Sequence, residues 1–418
     1  MRLLYLAASE FPIRQARGIQ IAHTVAGLAA LGHTVTLVAG GTGGPDEAGS
    51  FGFYGLETPE RVRLVRVPTW HPPVPPGTRW TSVASRIWVG THLSALRLAL
   101  PMLAMSERPD AVFARGLRVA DLALRSRGSR GVPLLYELHF LDSLNLEEDD
   151  GRRTARSERW RNLEARVLNA AAGIITLTAP AREVLTERYA LRGDSIEVVP
   201  SGTSATELER EPSARESDLA IYAGQLQDWK GVELLVDALA LVPGARLEVI
   251  GGLSRPGHPD RNQLGLAARA QASGVAERVI FSGPLPYPEV QRRLRRAAVA
   301  TIPLRDTVTG RIFTSPLKAF DYMWSGTPIV ASDLPSVRDV LTHERNALLS
   351  PPGEVAAFGA AMRRLFSDPR LGERLAQQAS EDVRGFTWQA RAERIDRFLH
   401  ARIPPPPADL VHQTSKRG

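Results

Sequence analysis

The sequence predicts an α/β protein built from two doubly wound, Rossmann-like domains that face a central cleft. Both halves of the chain begin with a short apolar strand, a polar loop, a helix and a second strand, from Leu3 to Ala39 and again from Leu219 to Ile250. Continuous apolar runs of this kind are typical of parallel strands buried on both faces. Ligands bind at the carboxyl ends of such strands, so a site is expected between the domains.

The apolar runs predict eleven strands and three principal helices. The strands are Leu3–Ala8, Thr34–Ala39, Ala111–Ala114, Pro133–Glu137, Gly173–Leu177, Ile196–Val199, Leu219–Ala223, Leu247–Ile250, Val279–Phe281, Ala298–Ile302 and Ile329–Ala331, and the helices are Ile19–Leu31, Val232–Leu241 and Trp388–His400. Residues 201–218 are polar and predict a linker between domains at 1–200 and 219–385. The Pro-rich loop 71–77 is expected at the surface, and the tail 402–418 is expected to be disordered.

Composition excludes several classes of site and partner. The 418 residues include no cysteine, which excludes disulfides and cysteine-ligated metals. The net charge is +7, but the basic residues are scattered, which favours anionic small substrates or an anionic membrane surface over nucleic acid.

Residues 79–105 mix arginines with tryptophans and leucines, and two interpretations stay open: a peripheral membrane contact or a core-packed helix pair. The short first apolar run is no signal peptide, and no run is long enough to span a membrane, so the expected location is cytoplasmic, with the inner membrane surface as the alternative.

Lysine is rare in this chain. Of 52 basic residues, only Lys230, Lys318 and Lys416 are lysines. A lysine that persists in a structured region of such a chain suggests a need for a compact ammonium group, which arginine does not imitate. Lys230 and Lys318 both fall within segments that carry the two clearest motifs.

The first motif runs from Ile221 to Gly231 and joins a strand to a helix through Gly224, Gln225 and Lys230. Glycine lets backbone amides approach an anion, the helix start offers free N–H groups, and lysine adds charge, so a diphosphate would fit. The pattern is neither a Walker loop nor a dinucleotide fingerprint. The alternative is an ordinary strand–helix turn with a solvated lysine.

The second motif runs from Thr314 to Asp333. Thr314 or Ser315 is expected to cap a helix whose first residue is Pro316, so the amides near Leu317 would face phosphate. Asp321 lies about two turns further on, where a carboxylate could accept both hydroxyls of a ribose. The alternative is a solvated Asp321 paired with Lys318 on the helix surface.

The order and spacing of these segments resemble the group 1 glycosyltransferases (glycosyltransferase family four), which have the GT-B fold. The resemblance extends over nearly the whole chain. It is carried by Gly32-His33-Thr34-Val35, Tyr136-Glu137-Leu138-His139, Thr176–Ala181, Val199-Pro200-Ser201-Gly202, the two motifs above and Phe386-Thr387-Trp388. It implies that the helix at about 386–401 crosses back to the first domain.

The resemblance also implies roles for individual residues. His139 would lie beside the donor sugar and, with Lys230, is assigned as catalytic. Arg311 is expected to restore charge near the phosphates. The residues expected to bind the donor are Gly18, Gly224, Gln225, Lys230, Arg311, Ser315, Pro316, Leu317, Lys318 and Asp321. Two departures stand out: Gln225 replaces the usual arginine, and Phe313 and Asp321 replace a pair of glutamates.

The implied function is transfer of a sugar from a nucleoside diphosphate-sugar to an acceptor hydroxyl. The resemblance implies retention of configuration, no metal and no separate cofactor. The acceptor is left open between a glycan, a lipid-linked molecule and a small molecule. Two alternatives also stay open: a sugar-nucleotide epimerase of similar fold, and a sugar-nucleotide-binding protein without catalysis, the latter suggested by Gln225 and Phe313.

Overall fold

The computed structural model describes residues 1–13, 15–41, 46–70, 72, 81–204, 215–252 and 261–403, and the chain folds into two compact units. Unit 1 comprises Met1–Leu177, Ala181–Pro200 and Trp388–Gly418, and unit 2 comprises Thr178–Pro180 and Ser201–Thr387. Each unit is built on one parallel sheet, which confirms the predicted α/β class.

Unit 1 contains a seven-stranded sheet in the order β3-β2-β1-β4-β5-β6-β7. The strands are β1 (Arg2–Glu10), β2 (Thr34–Gly40), β3 (Val62–Val67), β4 (Ala111–Arg115), β5 (Leu134–Leu138), β6 (Gly173–Thr176) and β7 (Ile196–Val198). The helices are α1 (Ala16–Ala30), α2 (Glu47–Gly52), α3 (Thr81–Glu107), α4 (Leu117–Arg125), α5 (Asp142–Asp150), α6 (Ala155–Ala170), α7 (Ala179–Tyr189) and, at the far end of the chain, α15 (Trp388–Arg402). The central strands are buried on both faces, as their apolar runs predict.

Unit 2 contains a six-stranded sheet in the order β10-β9-β8-β11-β12-β13. The strands are β8 (Glu216–Gly224), β9 (Arg246–Gly251), β10 (Val279–Gly283), β11 (Ala297–Ile302), β12 (Ile329–Ser332) and β13 (Leu348–Ser350). The helices are α8 (Val232–Ala240), α9 (Arg261–Ala272), α10 (Tyr287–Arg296), α11 (Leu317–Ser325), α12 (Pro335–Arg338), α13 (Val355–Ser367) and α14 (Pro369–Asp382).

Both sheets reverse their winding direction once. In unit 1 the reversal lies between β1 and β4, and in unit 2 it lies between β8 and β11. The connections on either side of such a point leave the sheet in opposite directions, which opens a crevice at the carboxyl ends of the two strands. The topology therefore singles out the residues after Gly224 and Ile302 in unit 2, and those around Arg115 in unit 1.

The last helix completes the core of unit 1. Trp388 at the start of α15 stacks on His23 of α1, with ring centroids 4.8 Å apart. Arg391 is almost fully buried and donates hydrogen bonds to the Val199 carbonyl (2.6 Å) and to Glu137 of β5 (2.6 Å). A buried cation is tolerated only where it is paired and hydrogen-bonded. The pair between Arg391 and Glu137 therefore holds α15 against β5.

The structure differs from the sequence predictions in four places. The predictions missed β3, whose Arg63 and Arg66 interrupt the apolar run, and the three-residue β13. The strand β8 begins at Glu216, inside the segment predicted as a linker. Residues 71, 73–80, 205–214 and 404–418 lie outside the described residues, and with them most of the Pro-rich loop, of the linker and of the tail.

The fourth difference concerns the segment 79–105, whose described residues, 81–105, all lie in the one continuous helix α3 and not in a helix pair. In the described residues α3 is the one helix that is long and apolar enough to cross a membrane. Length and composition alone are weak indications, because core helices of soluble proteins pass the same test.

We expect Arg391→Met to destabilise unit 1 by about 3–5 kcal/mol, because it leaves the Glu137 carboxylate buried without its cation. Hydrogen exchange read by mass spectrometry should show lost protection in peptides of β5 and α15, with unit 2 peptides unchanged. The control is Arg394→Met, an exposed position on the same helix, which should change stability by about 0.5 kcal/mol or less. Equal effects of the two variants would contradict a special role for the buried pair.

Candidate functional site

In unit 2, β8 ends in a glycine turn that brings backbone and lysine together. Gly224 adopts φ +151°, and a Cβ atom built there would lie 3.0 Å from the Lys318 ammonium nitrogen. Gly231 adopts φ +68° as the residue before α8, and a Cβ there would lie 1.9 Å from the Pro303 carbonyl oxygen. Both positions therefore require glycine, and they pack the end of β8 against the segment that follows β11.

Lys318 is a buried cation without a hydrogen-bonding partner. Its ammonium nitrogen lies 3.5 Å from the centre of the Tyr222 ring, and no described group accepts a hydrogen bond from it. Burial, followed by the charge of Lys230, holds the pKa of Lys318 well below its usual range. A buried ammonium group in this state is poised to gain an anionic partner.

Lys230 supplies the second ammonium group, 3.5 Å from the centre of the Trp229 ring. Burial lowers the pKa of Lys230 to about 7. The two lysines that the composition singled out are thus brought together at the switch point of the unit 2 sheet, although 88 positions separate them in the sequence (318 − 230). Neither forms an ion pair with a carboxylate among the residues that the structure describes.

The start of α11 differs from its predicted form. The helix begins at Leu317, Pro316 is the residue before it, and no side chain caps it. Ser315 does not cap the helix, because its hydroxyl oxygen accepts a hydrogen bond from the Ser201 amide (3.0 Å). Thr314 does not cap it either, because its hydroxyl donates to the Thr309 carbonyl (2.7 Å). The first amides of α11 therefore lack a side-chain acceptor, and Lys318 itself lies in this first turn, so the amides and the ammonium group favour an anion at the same end of the helix.

Asp321 lies one turn further along α11, and Lys318 is not its partner. One carboxylate oxygen accepts hydrogen bonds from the Tyr287 hydroxyl (2.9 Å) and the Thr203 hydroxyl (3.5 Å). Burial raises the pKa of Asp321 to about 6, against the effect of these two donors. The second carboxylate oxygen of Asp321 forms no hydrogen bond with the described residues, so it can accept one from a ligand hydroxyl.

Two positions that depart from the family pattern, Gln225 and Phe313, have separate environments, and so has Arg311, the residue expected to restore charge. Gln225 follows the glycine turn, and its carbonyl oxygen accepts a hydrogen bond from the Tyr222 hydroxyl (2.5 Å). Arg311 forms an ion pair with Asp306 (2.7 Å), which offsets the charge it was expected to supply. Phe313 is buried at the end of a π-helical turn and serves as a core residue.

In unit 1, Gly18 lies within the first turn of α1 and not in a preceding loop, which corrects the predicted helix start. A Cβ atom at Gly18 would lie 2.3 Å from the Tyr54 hydroxyl oxygen and 2.5 Å from the Ile13 carbonyl oxygen. Tight packing therefore explains the glycine. Its expected contact with the donor stays a prediction.

The carboxyl ends of β4 and β5 carry a buried charged cluster that includes His139. Glu137 accepts a hydrogen bond from Arg391, and its same oxygen lies 3.1 Å from Nε2 of His139. Arg115 donates to the Arg17 carbonyl (2.6 Å), to the side chain of Gln20, and from Nε to Nε2 of His139 (2.7 Å). Burial alone would raise the pKa of Glu137, but Arg391 and then His139 hold it well below its usual range.

These contacts define the protonation state of His139. Nε2 of His139 faces both the Arg115 guanidinium (2.7 Å), which only donates, and the Glu137 carboxylate (3.1 Å), which only accepts. The shorter contact, to Arg115, favours the tautomer with the ring proton on Nδ1. Burial, followed by Arg115, lowers the pKa of His139 to about 4, which keeps the ring neutral at physiological pH. His139 is partly exposed, so its Nδ1–H is available as a hydrogen-bond donor to a ligand.

Several residues of these clusters were not predicted as site residues. They are Thr203, Tyr222, Tyr287, Glu137 and Arg391. Glu137 offered a signal, since a carboxylate inside an otherwise apolar strand requires a partner. Its partner, Arg391, lies 254 positions away, and no local pattern could identify it.

Comparison with known proteins matches both halves of the chain to related families. Residues 217–368 match the family described as "Glycosyl transferases group 1", and residues 18–202 match the "Glycosyl transferase 4-like domain".

No group of three or more potential metal ligands occurs among the described residues.

Curated relatives and solved structures agree with that assignment. The D-inositol 3-phosphate glycosyltransferase of Jonesia denitrificans is 28% identical, over 62% of this chain and 64% of its own length. The enzyme of the same name from Acidothermus cellulolyticus is 30% identical, over 63% of this chain and 61% of its own. The chain thus spans less than two thirds of the length of either relative.

Solved structures share the fold at low sequence identity. Sucrose-phosphate synthase from Thermosynechococcus elongatus has a TM-score of 0.75 at 19% identity, covering 96% of this chain and 99% of that one. Anabaena Alr3699/HepE, solved in complex with UDP and glucose, has a TM-score of 0.67 at 17% identity, covering 96% and 100%.

We expect Arg115→Gln to raise the pKa of His139, because it removes a positive charge that lowers that pKa while Glu137 remains. In wild-type protein labelled with ¹⁵N-histidine, His139 should show the neutral Nδ1–H tautomer and titrate near pH 4. His139→Gln assigns the signal. The control is Arg125→Gln, whose arginine pairs with Asp121 on α4. A wild-type His139 protonated on Nε2 would contradict the assigned geometry.

Proposed function

The chain belongs to the group 1 glycosyltransferases of GT-B fold, and from that premise we propose that it transfers a sugar from a nucleoside diphosphate-sugar to an acceptor hydroxyl. The bond between the anomeric carbon and the diphosphate breaks, a bond to the acceptor oxygen forms, and the acceptor hydroxyl loses its proton. Retention of configuration is part of the proposal and is supported by the family resemblance.

The observation that carries the proposal is the pair of ammonium groups at the switch point of unit 2. Lys230 and Lys318 are partly or fully withdrawn from water, and no described carboxylate neutralises them. A diphosphate would satisfy both and would also accept from the first amides of α11. Because the leaving diphosphate gains negative charge as the sugar bond breaks, fixed positive charge at this position stabilises the transition state more than the ground state.

Asp321 suits the ribose of the same nucleotide. Tyr287 and Thr203 orient its carboxylate and occupy one oxygen, while the other is free to accept from a ribose hydroxyl. We assign Asp321 to nucleotide binding.

In unit 1, the Nδ1–H of His139 suits a sugar hydroxyl. The Arg115 contact keeps the ring neutral and oriented, so it can donate a hydrogen bond without adding a second full charge. We propose this donor as the contribution of unit 1 to sugar recognition. The acceptor is a glycan, a lipid-linked molecule or a small molecule.

The names of relatives support a nucleotide sugar as donor. Curated relatives are named for glycosyl transfer, and one structural relative was solved with UDP and glucose. UDP is therefore the first ligand to test for binding at this site. Because two lysines already lie at the proposed diphosphate position, the proposal includes metal-independent transfer, and we expect full activity in the presence of EDTA.

We expect Lys230→Met to reduce transfer by about 10²–10³-fold, as removal of one charge-stabilising donor does in other enzymes. A panel of nucleotide sugars is first read by thermal shift, and the stabilising donor is then assayed for transfer and hydrolysis. Lys416→Met, which changes the third lysine of the chain, is the matched control and should leave transfer unchanged. Stabilisation by a donor without any turnover would identify a non-catalytic binder, and a stereochemically altered sugar nucleotide would identify an epimerase.

We also expect UDP affinity to fall above pH 7. An adjacent diphosphate stabilises the charged form of Lys230 and raises its pKa from about 7, so binding takes up a proton at higher pH. Affinity should therefore be highest where Lys230 is already protonated and should decrease by up to about tenfold per pH unit above that. Calorimetry between about pH 7 and pH 9 avoids titration of the phosphate itself, whose pKa is about 6. Lys230→Met should flatten this dependence, and a wild-type affinity constant over the range would contradict the assignment.

A further inference from the structure

Helix α3 leaves an apolar stripe exposed on the surface of unit 1. Leu98, Met102 and Met105 are 78%, 67% and 68% exposed and are spaced four and three positions apart, so they lie on one face of the helix. We call these three residues, with Trp70, the apolar stripe. Trp70 is 57% exposed and is held beside the same face, because its amide donates to the Thr91 hydroxyl of α3 (3.1 Å).

The opposite face of α3 is committed to the core. Leu96, Leu100 and Leu103 are buried, and the helix packs on β1, β3 and α4. Withdrawing α3 to span a bilayer would uncover this side of the sheet. The helix is therefore suited to lie along a surface with one face, and the apolar stripe is the face available.

A basic margin runs along one side of the stripe. Arg97 precedes Leu98 on the helix, and Arg127 and Arg130 lie on the loop after α4, which touches α3 where a Cβ at Gly128 would lie 2.5 Å from the Cα of Pro101. We call these three arginines the basic margin. None of them pairs with a carboxylate in the described part of the chain.

Acidic residues are absent from the sequence around this surface. Residues 61–106 contain six arginines and no aspartate or glutamate, and residues 122–136 contain three arginines and again no acid. Glu107, at the end of α3, is already paired with Arg63. A protein partner could cover the apolar stripe alone. An exposed tryptophan beside unpaired arginines fits better with the surface of an anionic lipid bilayer, where an apolar acyl layer lies beneath negatively charged headgroups.

We propose that the apolar stripe and the basic margin dock unit 1 onto an anionic lipid surface, with α3 parallel to the membrane plane. The stripe enters the acyl boundary, Trp70 lies at the headgroup level, and the arginines contact lipid phosphates. This inference does not depend on the identity of the donor, and binding to vesicles is measured without any transfer reaction.

The experiment is co-sedimentation of the purified full chain with phosphatidylcholine vesicles, with and without phosphatidylglycerol, at low and high salt. We expect binding that requires phosphatidylglycerol and is weakened by salt. Leu98→Asp should weaken binding by about tenfold or more, since it removes apolar burial and adds a negative charge. The matched control is Leu264→Asp on α9 of unit 2, where the leucine is 55% exposed, and it should bind as wild type.

The arginines are tested as a pair. Arg127→Gln with Arg130→Gln should weaken binding by about fivefold for each charge removed. Arg370→Gln with Arg397→Gln removes the same charge from exposed positions elsewhere and should have a much smaller effect. Thermal melting of each variant confirms that it is folded.

Four outcomes would overturn the proposal, and the last of them concerns the mode of binding. The first is equal binding by wild type and Leu98→Asp. The second is no binding to anionic vesicles at low salt. The third is a wild-type dimer in sedimentation velocity that Leu98→Asp dissociates, which would assign the stripe to a second copy of this chain. Release of bound protein by alkaline carbonate supports a peripheral mode, and resistance to that treatment would contradict it.

Discussion

Unneutralised positive charge at the end of β8 is the constraint around which unit 2 is arranged. The Lys318 ammonium has an aromatic face and a glycine backbone against it, where a carboxylate would be the usual partner. An aspartate or glutamate there would stabilise the empty protein but compete with an anionic ligand. The Tyr222 ring provides attraction without a formal charge, so the site keeps its positive potential and remains folded when empty.

In unit 1, by contrast, the buried charged groups have hydrogen-bonding partners within the protein. Glu137 is paired with Arg391, Arg115 donates hydrogen bonds to neutral acceptors, and the cluster leaves His139 neutral with one free donor. This contrast agrees with the proposed roles, in which unit 2 binds a charged diphosphate and unit 1 recognises uncharged hydroxyl groups. Both clusters occupy the carboxyl ends of strands beside a switch point, where parallel sheet topology opens a crevice.

Sequence patterns were sufficient for the fold class and for most strands, because continuous apolar runs report burial on both faces. They failed at the sheet edges, where β3 is interrupted by Arg63 and Arg66 and only partly buried, and where β13 is only three residues long. The rarity of lysine pointed to Lys230 and Lys318, and the structure brings the two together. The capping role expected of Ser315 was wrong, because its hydroxyl accepts a hydrogen bond from the Ser201 amide. A contact with a residue so far away in the sequence leaves no local pattern, and the expected contact of Ser315 with the donor stays a prediction.

The return of α15 to unit 1 affects the order in which the protein can fold during synthesis. All of unit 2 leaves the ribosome before Trp388, so its sheet can close while the core of unit 1 still lacks one wall. Until Arg391 emerges, Glu137 would be buried without its cation, and the neighbouring strands are held in an incomplete state. Unit 2 is therefore expected to mature first, and unit 1 is completed only when α15 has been synthesised.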